Sequence, residues 1–503
     1  MNDQLNDFFS DEELEKPVTT NKPIILKPIK PTPTPIPVTT PELKKVVKKG
    51  KRVDNDCVER AFDKIFGGEK INYPGKRPDF IYVPAIGEQI ITNILTTKDT
   101  MDGKNLSWWE DEKSIFQHSA VLVSAFYGLM REPDEVDEGT PYYRQRLNIT
   151  KNTLFIGDSG GFQKATMQNN PAYQDTLKKL TPERVTQWQE DNCDIGLILD
   201  KPPYWKPKGA TKVNWTTSDP RKFQDALDFT CHSAEVAVNQ YDPKKMKLFG
   251  VLQGRNYNDL IKWHDQISKY EFDGWALAPK PTTDVMAVAM YAAFAIEMGF
   301  KVPLHFLAIS GLNTIALIIY LLRKDEHGEQ YFPYGITSDS SSYNTGSIYR
   351  RYMVPSDYNM YLILGRNQDE FNAAGEKTKE ANPNSSTIEI LPCSCPICSH
   401  TTPDLMRTSN NLAGISLSLH NLSMYNSFIN ILLSLVDDPG AYKSFIRRTA
   451  VRSLNATAHQ PVEDLHMSLK AMSIMDEIVK HKGEKKMLWP NLLAGSKSAL
   501  DFF

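Results

Sequence analysis

From about residue 78 onward the chain alternates short apolar runs with helix-like stretches, and this alternation narrows the possible folds more than any other feature. Seven runs have the length and the β-branched or aromatic content of buried strands: DFIYVPAI (79–86), NTLFIG (152–157), CDIGLIL (193–199), KLFGVL (247–252), GWALA (274–278), LHFLAI (304–309) and YGITS (334–338). Helical text separates them. In TPERVTQWQEDN, Thr181 suits an N-cap and Pro182 the first helical position. NTIALIIYLLRK begins at Asn313 and closes on Arg323 and Lys324, cations that favour a helix C-terminus. Strand and helix in alternation, with strands apolar on both faces, predict a parallel α/β fold. Seven strands over about 270 residues suit a TIM-like (β/α)8 barrel better than an open sheet.

The barrel does not fill the chain of 503 residues. Residues 1–52 read as a disordered tail: eight prolines fall between Pro17 and Pro41, an extended spacer without a core. It leads into a basic cluster, Lys44, Lys45, Lys48, Lys49, Lys51 and Arg52, which is either a solvated linker end or an arm for a nucleic-acid backbone. Such an arm would have to act locally, because 58 basic and 61 acidic side chains leave a formal charge of −3. The longest unbroken apolar run, 285–296, is far too short for a membrane span, as is 315–322, and the start, MNDQLNDFFSDEEL, is acidic without a secretory core. The expectation is a cytoplasmic protein with no membrane partner. The two ends echo each other, QLNDFF and ALDFF, and resemble the short peptides by which DNA-processing proteins bind sliding clamps.

Polar residues just after the strands carry the chemistry. Asp158 follows NTLFIG, Asp200 follows CDIGLIL, Gln253 and Gly254 follow KLFGVL, Ser310 and Gly311 follow LHFLAI, and Asp339 follows YGITS. In a parallel barrel all of these converge on one mouth. A single Asp after a strand is commonly a turn former or a helix cap, whereas three at matching positions predict a reactive rim. Gly160 and Gly161 permit either a tight turn or close approach of backbone to a ligand.

The six cysteines are unevenly spread: Cys57, Cys193 and Cys231 are scattered, while Cys393, Cys395 and Cys398 lie within six residues. Thiolates clustered in this way point to metal rather than to disulfides. A fourth ligand comes from His400 or His420. His400, two residues after Cys398, makes a strained chelate, and His420 in the apolar stretch SLSLHNLSMY is favoured. Three sulfurs and one imidazole close a tetrahedral zinc site with no open position, hence a structural one.

Five motifs now stand in order: GDSGGFQ (157–163), LFGVLQG (248–254), ITSDSSSY (336–343), RRYM (350–353) and EILPCSCPIC…LHNLSMY (389–398 and 419–425). Together they resemble the tRNA-guanine transglycosylase superfamily over roughly residues 78 to 430, most closely its archaeal branch. The resemblance implies a zinc-bearing (β/α)8 barrel that exchanges guanine in a nucleic acid for a free 7-deazaguanine base. Asp339 corresponds to the nucleophile and Asp158 to the acid/base that also holds the base. Asp200 and Gln253 correspond to base-recognition residues, with Ser159 and Gly254 beside them. Cys393, Cys395, Cys398 and His420 correspond to the zinc ligands. The implied domains are the tail 1–52, a catalytic barrel 53–360, a zinc subdomain 361–430 and a helical region 431–503 with a flexible end.

The implied chemistry is physically coherent. Exchanging a base without cutting the backbone calls for a carboxylate that attacks C1′ and a second carboxyl that moves protons. Guanine presents N1–H and N2–H2 donors, which match Asp200, and an O6 acceptor, which matches the Gln253 amide. The base must leave the stack to be reached.

Two departures stand out. Where the family has a glycine pair after the strand GWALA, this chain has Ala278 and Pro279, and proline offers no N–H. Either recognition at O6 differs from the family's, or Lys280 replaces the lost donor, and the incoming base is left open. No tRNA-binding module is recognisable after His420, only helical text with Arg447, Arg448 and Arg452. That profile is similar to the phage and genomic-island DNA 7-deazaguanine transglycosylases, the DpdA family, and favours DNA over tRNA. A tRNA enzyme, a non-catalytic nucleic-acid-binding subunit and a glycosylase that removes guanine without replacing it are the alternatives. The family forms dimers, but no interface can be read from these residues.

Overall fold

A computed structural model describes residues 80–481, except 92–100, 133–141, 204–218, 364–390, 407–410, 450–459 and positions 89, 110–112, 151, 281, 283, 349, 357 and 359. The Pro/Lys-rich tail, the basic cluster at 44–52, both aromatic end peptides, Cys57 and Arg452 lie outside the described residues.

Eight parallel strands form a nearly closed barrel: β1 Phe80–Pro84, β2 Ala120–Ser124, β3 Leu154–Asp158, β4 Ile195–Leu197, β5 Lys247–Leu252, β6 Gly274–Leu277, β7 Leu304–Phe306 and β8 Ile336–Ser340. Their order is β1-β8-β7-β6-β5-β4-β3-β2. The seam between β1 and β2 is bridged just past β1, where Ala85 pairs with Leu122 and Ile86 donates its N–H to the Leu122 carbonyl at 2.9 Å. Nearly every strand residue is buried, as strands wrapped by helices must be.

Seven of the eight strands lie within or beside the seven apolar runs, and two details differ. Strand β2, AVLVS, was not anticipated: it runs directly into helix α1, Ala125–Met130, with no turn residue to mark the change of period. Strand β8 extends two residues past its apolar run, so Asp339 lies within the strand rather than after it.

The principal helices that follow are α2 Gly161–Thr166, α3 Pro182–Asn192, α4 Pro220–Gln240, α5 Tyr257–Ile267, α6 Val285–Glu297, α7 Leu312–Tyr320 and α8 Ser342–Ile348. The Thr181 side chain accepts from the Arg184 N–H at 3.3 Å and caps α3, with Pro182 at its first position, as predicted. Helix α7 differs from expectation. Gly311 rather than Asn313 is its N-cap residue, and it stops at Tyr320, before the two cations. Arg323 instead donates to Asp476 and to the Tyr320 hydroxyl, both at 2.7 Å.

Beyond the barrel, β9 Arg351–Met353 and β10 Met360–Leu362 form an antiparallel pair, followed by α9 Asn411–Leu435, α10 Pro439–Arg448 and α11 Gln460–Lys480. Helix α9 runs unbroken through the boundary predicted at residue 430. Helix α6 is buried almost all round, which a single-layer barrel helix would not be. The reason is α11, which packs over α6 and α7 as a second layer with Ala471, Met472 and Met475 fully buried. No helix among the described residues is long and apolar enough to cross a membrane.

A buried ion pair staples the N-terminal side of β3 and β4. Asp194 accepts from Arg144 through both oxygens at 3.0 Å and from the Phe155 N–H at 2.7 Å. Arg144 spends its other donors on the carbonyls of Ile149, Thr150 and Thr153. Removing the cation alone strands a fully buried carboxylate. Arg144→Met is therefore expected to lower unfolding stability by about 3 to 5 kcal/mol, read by denaturant titration. A loss within experimental error would mean that Asp194 does not depend on its partner.

Candidate functional site

The barrel brings the predicted rim residues together. Register fixes their height: Asp339 of β8 lies opposite Val83 of β1, and Asp158 of β3 lies opposite Ser124 of β2. Asp200 follows β4, Gln253 directly follows β5, and Lys280 stands three residues past β6. Asp200, Gln253 and Asp339 are buried.

Local sequence explains how each side chain is held. The Asp158 carboxylate accepts from the Gly160 N–H at 3.1 Å, closing a turn that needs the left-handed φ of +81° at Gly160. A Cβ at Gly161 would collide with the backbone and carboxylate of Asp200, so the second glycine gives that carboxylate its place. Ser159 donates to Asp200 Oδ1 at 3.0 Å, and Gln253 donates its amide N–H to Oδ2. The amide expected to face O6 of a base is thus directed at Asp200. Gly254 has a structural duty as well: a Cβ there would press on Leu260, and its carbonyl accepts from the Tyr291 hydroxyl at 2.9 Å.

The groups perturb one another. Burial raises the Asp158 carboxyl from its ordinary 3.8 to about 6, and the charges of Asp200 and Asp339 push the same way against hydrogen bonds from Ser124 and Gly160. Burial also raises Asp200, against its hydrogen bonds from Gln253 and Ser159. Lys280 is lowered by burial, and the three carboxylates oppose that shift. Its ammonium lies 5.4 Å from the Phe162 ring centroid. The mouth therefore offers an acid poised near neutrality beside further carboxylates and one ammonium, a set suited to proton transfer and to binding a donor-rich ring.

Three residues beneath Asp339 escaped the sequence reading. The Ala308 N–H donates to Asp339 Oδ1 at 2.8 Å, from a residue held at φ 58°. His305, fully buried on β7, sets Nε2 3.3 Å from the same oxygen. Its Nδ1 lies 2.8 Å from Thr337 Oγ1. The available signal was a lone histidine within the apolar run LHFLAI.

The second cluster lies outside the barrel. One ligand atom from each of Cys393, Cys395, Cys398 and His420 falls within 4.8 Å of the others, so these residues can hold a metal ion. The His420 ring stacks on Tyr352 at 3.8 Å, and its Nε2 lies 2.8 Å from the Met353 carbonyl. That bond places the ring proton on Nε2 and leaves the Nδ1 lone pair toward the sulfurs, 3.2 Å from Cys398 and 3.5 Å from Cys395. Backbone N–H groups of Cys395 and Cys398 point at the sulfurs of Cys393 and Cys395. His400 is turned away, with Nε2 3.7 Å from Asp102. The neighbouring Asn421 ties this cluster to the segment that leaves β8, accepting from the Met353 N–H and donating to the carbonyls of Tyr343 and Arg351.

No protein-family model matches the chain, and no curated protein matches it.

The raised Asp158 carboxyl has a thermodynamic signature. Its folded value, about 6, lies above the ordinary 3.8, so its contribution to stability is complete below 3.8 and is lost as pH rises through 6. Asp158→Asn should raise the melting temperature at pH 8 and leave it nearly unchanged at pH 3.5; equal effects at both values would contradict the buried-acid assignment. For the metal cluster, Cys395→Ser should strip bound metal and lower the melting temperature together, while His400→Ala should change neither. Elemental analysis and thermal melts on the two variants separate these outcomes.

Proposed function

We propose that this protein is a DNA-guanine transglycosylase, a pentosyltransferase that exchanges guanine in DNA for a 7-deazaguanine base. The observation that carries the reading is the meeting of Asp158, Asp200 and Asp339 at one barrel mouth, each buried or strongly shielded. The motifs holding them resemble the guanine transglycosylases, and the chemistry follows from their surroundings.

Asp339 attacks C1′ as an ionised carboxylate and forms a sugar ester as guanine departs. Asp158, with a carboxyl titrating at about 6, gives a proton to the leaving base and takes one from the incoming base. Asp200, braced by Ser159 and Gln253, accepts from the base's N1–H and N2–H2 donors. Lys280, following the proline that lacks an N–H, donates to O6. Reaching C1′ at a buried mouth requires the nucleotide to be flipped or already unpaired.

Zinc is the ion that suits the metal cluster. Three thiolates and one imidazole satisfy its four-coordinate preference and leave no position for substrate, so its role is structural. DNA is favoured over tRNA because the described segments after His420 are spent on covering the barrel. Helices α10 and α11 pack against α9, α6 and α7, and Asp476 binds Arg323 and the hydroxyls of Tyr320 and Tyr331. No separate RNA-gripping module stands among the described residues.

The test is an exchange assay on duplex DNA, single-stranded DNA and tRNA. Each receives 7-deazaguanine bases, and the digested nucleosides are read by mass spectrometry. A 7-deazaguanine deoxynucleoside is expected from DNA, and Asp339→Ala should abolish it with metal content and fold intact. Exchange confined to tRNA would make this a tRNA enzyme. Abasic sites without insertion would make it a glycosylase. Activity appearing only with a second protein would make it a binding subunit.

A further inference from the structure

We propose that His305 and the Ala308 amide form a two-donor clamp on Asp339 Oδ1, which leaves Oδ2 to attack the sugar and drives the carboxylate's release in the second step. The inference rests on the exchange reading and adds two positioning residues to it.

The geometry points to one oxygen. The Ala308 N–H donates to Oδ1 at 2.8 Å, and His305 Nε2 stands 3.3 Å from that same atom. Ala308 holds its N–H there from the left-handed region at φ 58°, where a side chain is disfavoured. Strain of that kind persists where the surroundings enforce it, and functional sites are where it collects.

The ring's proton can be placed by elimination. Nδ1 lies 2.8 Å from Thr337 Oγ1, whose one hydroxyl proton has two acceptors in reach, this nitrogen and, at 3.3 Å, the Leu304 carbonyl. A ring protonated only on Nδ1 would set the bare Nε2 lone pair against a carboxylate oxygen in a site that excludes water. With the proton on Nε2, the Thr337 hydroxyl gives its proton to the nearer Nδ1 rather than to the Leu304 carbonyl, and the N–H faces Asp339. Nε2 is buried and makes no hydrogen bond of full geometry in the free protein. Catalytic hydrogen bonds often tighten only when substrate engages.

The two steps use this donor unequally. In the first, a bond forms from Oδ2 to C1′ and the bond from C1′ to guanine N9 breaks. The electron pair goes to the base, which receives a proton from the Asp158 carboxyl. Asp339 changes from anion to neutral ester. In the second step the incoming base gives its N9 proton to the Asp158 carboxylate, and N9 bonds to C1′. The pair of the breaking bond returns to Oδ2, restoring the anion. Donors on Oδ1 favour the carboxylate over the ester, so they accelerate the second step.

His305→Phe is expected to lower steady-state exchange about 100-fold while a denaturation-resistant protein–DNA adduct accumulates and KM falls. His305→Gln, whose amide N–H can take the place of Nε2–H, should restore most of the rate and clear the adduct. A rate loss without adduct would mean that the residue is merely structural, and an unchanged rate would remove the clamp altogether. If the Phe variant fails to fold, the imidazole nitrogen-15 spectrum of the wild-type protein decides. The resonance missing from His305→Gln should report a proton on Nε2, and a bare Nε2 would overturn the clamp. Wild-type protein inactive on every nucleic acid would refute the exchange reading, whereas the spectrum reads the proton placement by itself.

Discussion

Every strand of the barrel runs the same way around an interior filled by its own side chains, so polar groups can gather in number only at the rims. The C-terminal rim takes three carboxylates, and the burial of these groups, with repulsion added at Asp158, governs the rest of the site. Asp158 answers by titrating near neutrality, Asp200 by collecting donors from Ser159 and Gln253, and Asp339 by sitting against the Ala308 N–H and His305. Each answer needs a rigid neighbour, and β4, β5 and β7 supply them. Under the proposed exchange reaction, this crowding would give one acid and one nucleophile with different roles.

Rigidity at Asp339 extends beyond the barrel. The strand that carries it continues into α8, and α8 packs on α9, the helix that bears His420. Asn421, next to the metal-ligating histidine, bonds to backbone on both α8 and β9. Loss of metal would loosen His420 first, then the β9 register, then the segment leaving β8. On the other flank, α11 seals α6 and α7 through a small buried seam, and Asp476 fixes it with hydrogen bonds from Arg323, Tyr320 and Tyr331.

What was legible in the sequence follows from the range of the forces involved. Apolar runs reported buried strands because burial on both faces leaves a purely local mark, and Thr181–Pro182 marked a helix start for the same reason. Strand β2 was hidden because Ser124 both ends the strand and caps α1, accepting from the Phe126 N–H with no glycine or proline between. Arg323 and Lys324 looked like helix-terminal cations, yet Arg323 serves a residue more than 150 positions away. The Gln253 amide was assigned to a ligand because its actual partner, Asp200, lies on another strand. His305 went unnoticed for the converse reason: inside an apolar run, nothing nearby reveals that a carboxylate lies above it. Local chemistry was readable, and pairings across strands were not.

If the proposed exchange reaction holds, the charge balance of the mouth also limits how a nucleic acid would approach. Asp158, Asp200 and Asp339 face the ammonium of Lys280, whose pKa is itself lowered by burial. A phosphate drawn toward this rim would meet net repulsion in a desolvated setting, where such terms are strongest. The base and its sugar can enter, since guanine offers donors to carboxylates, but the backbone has to be gripped farther out. Arg447 and Arg448, exposed at the end of α10, are cations of the kind such a grip requires, placed outside the barrel. Under the proposed exchange reaction, an acidic throat with exposed arginines outside it would favour an extruded nucleotide over a stacked duplex before any base-specific contact is made.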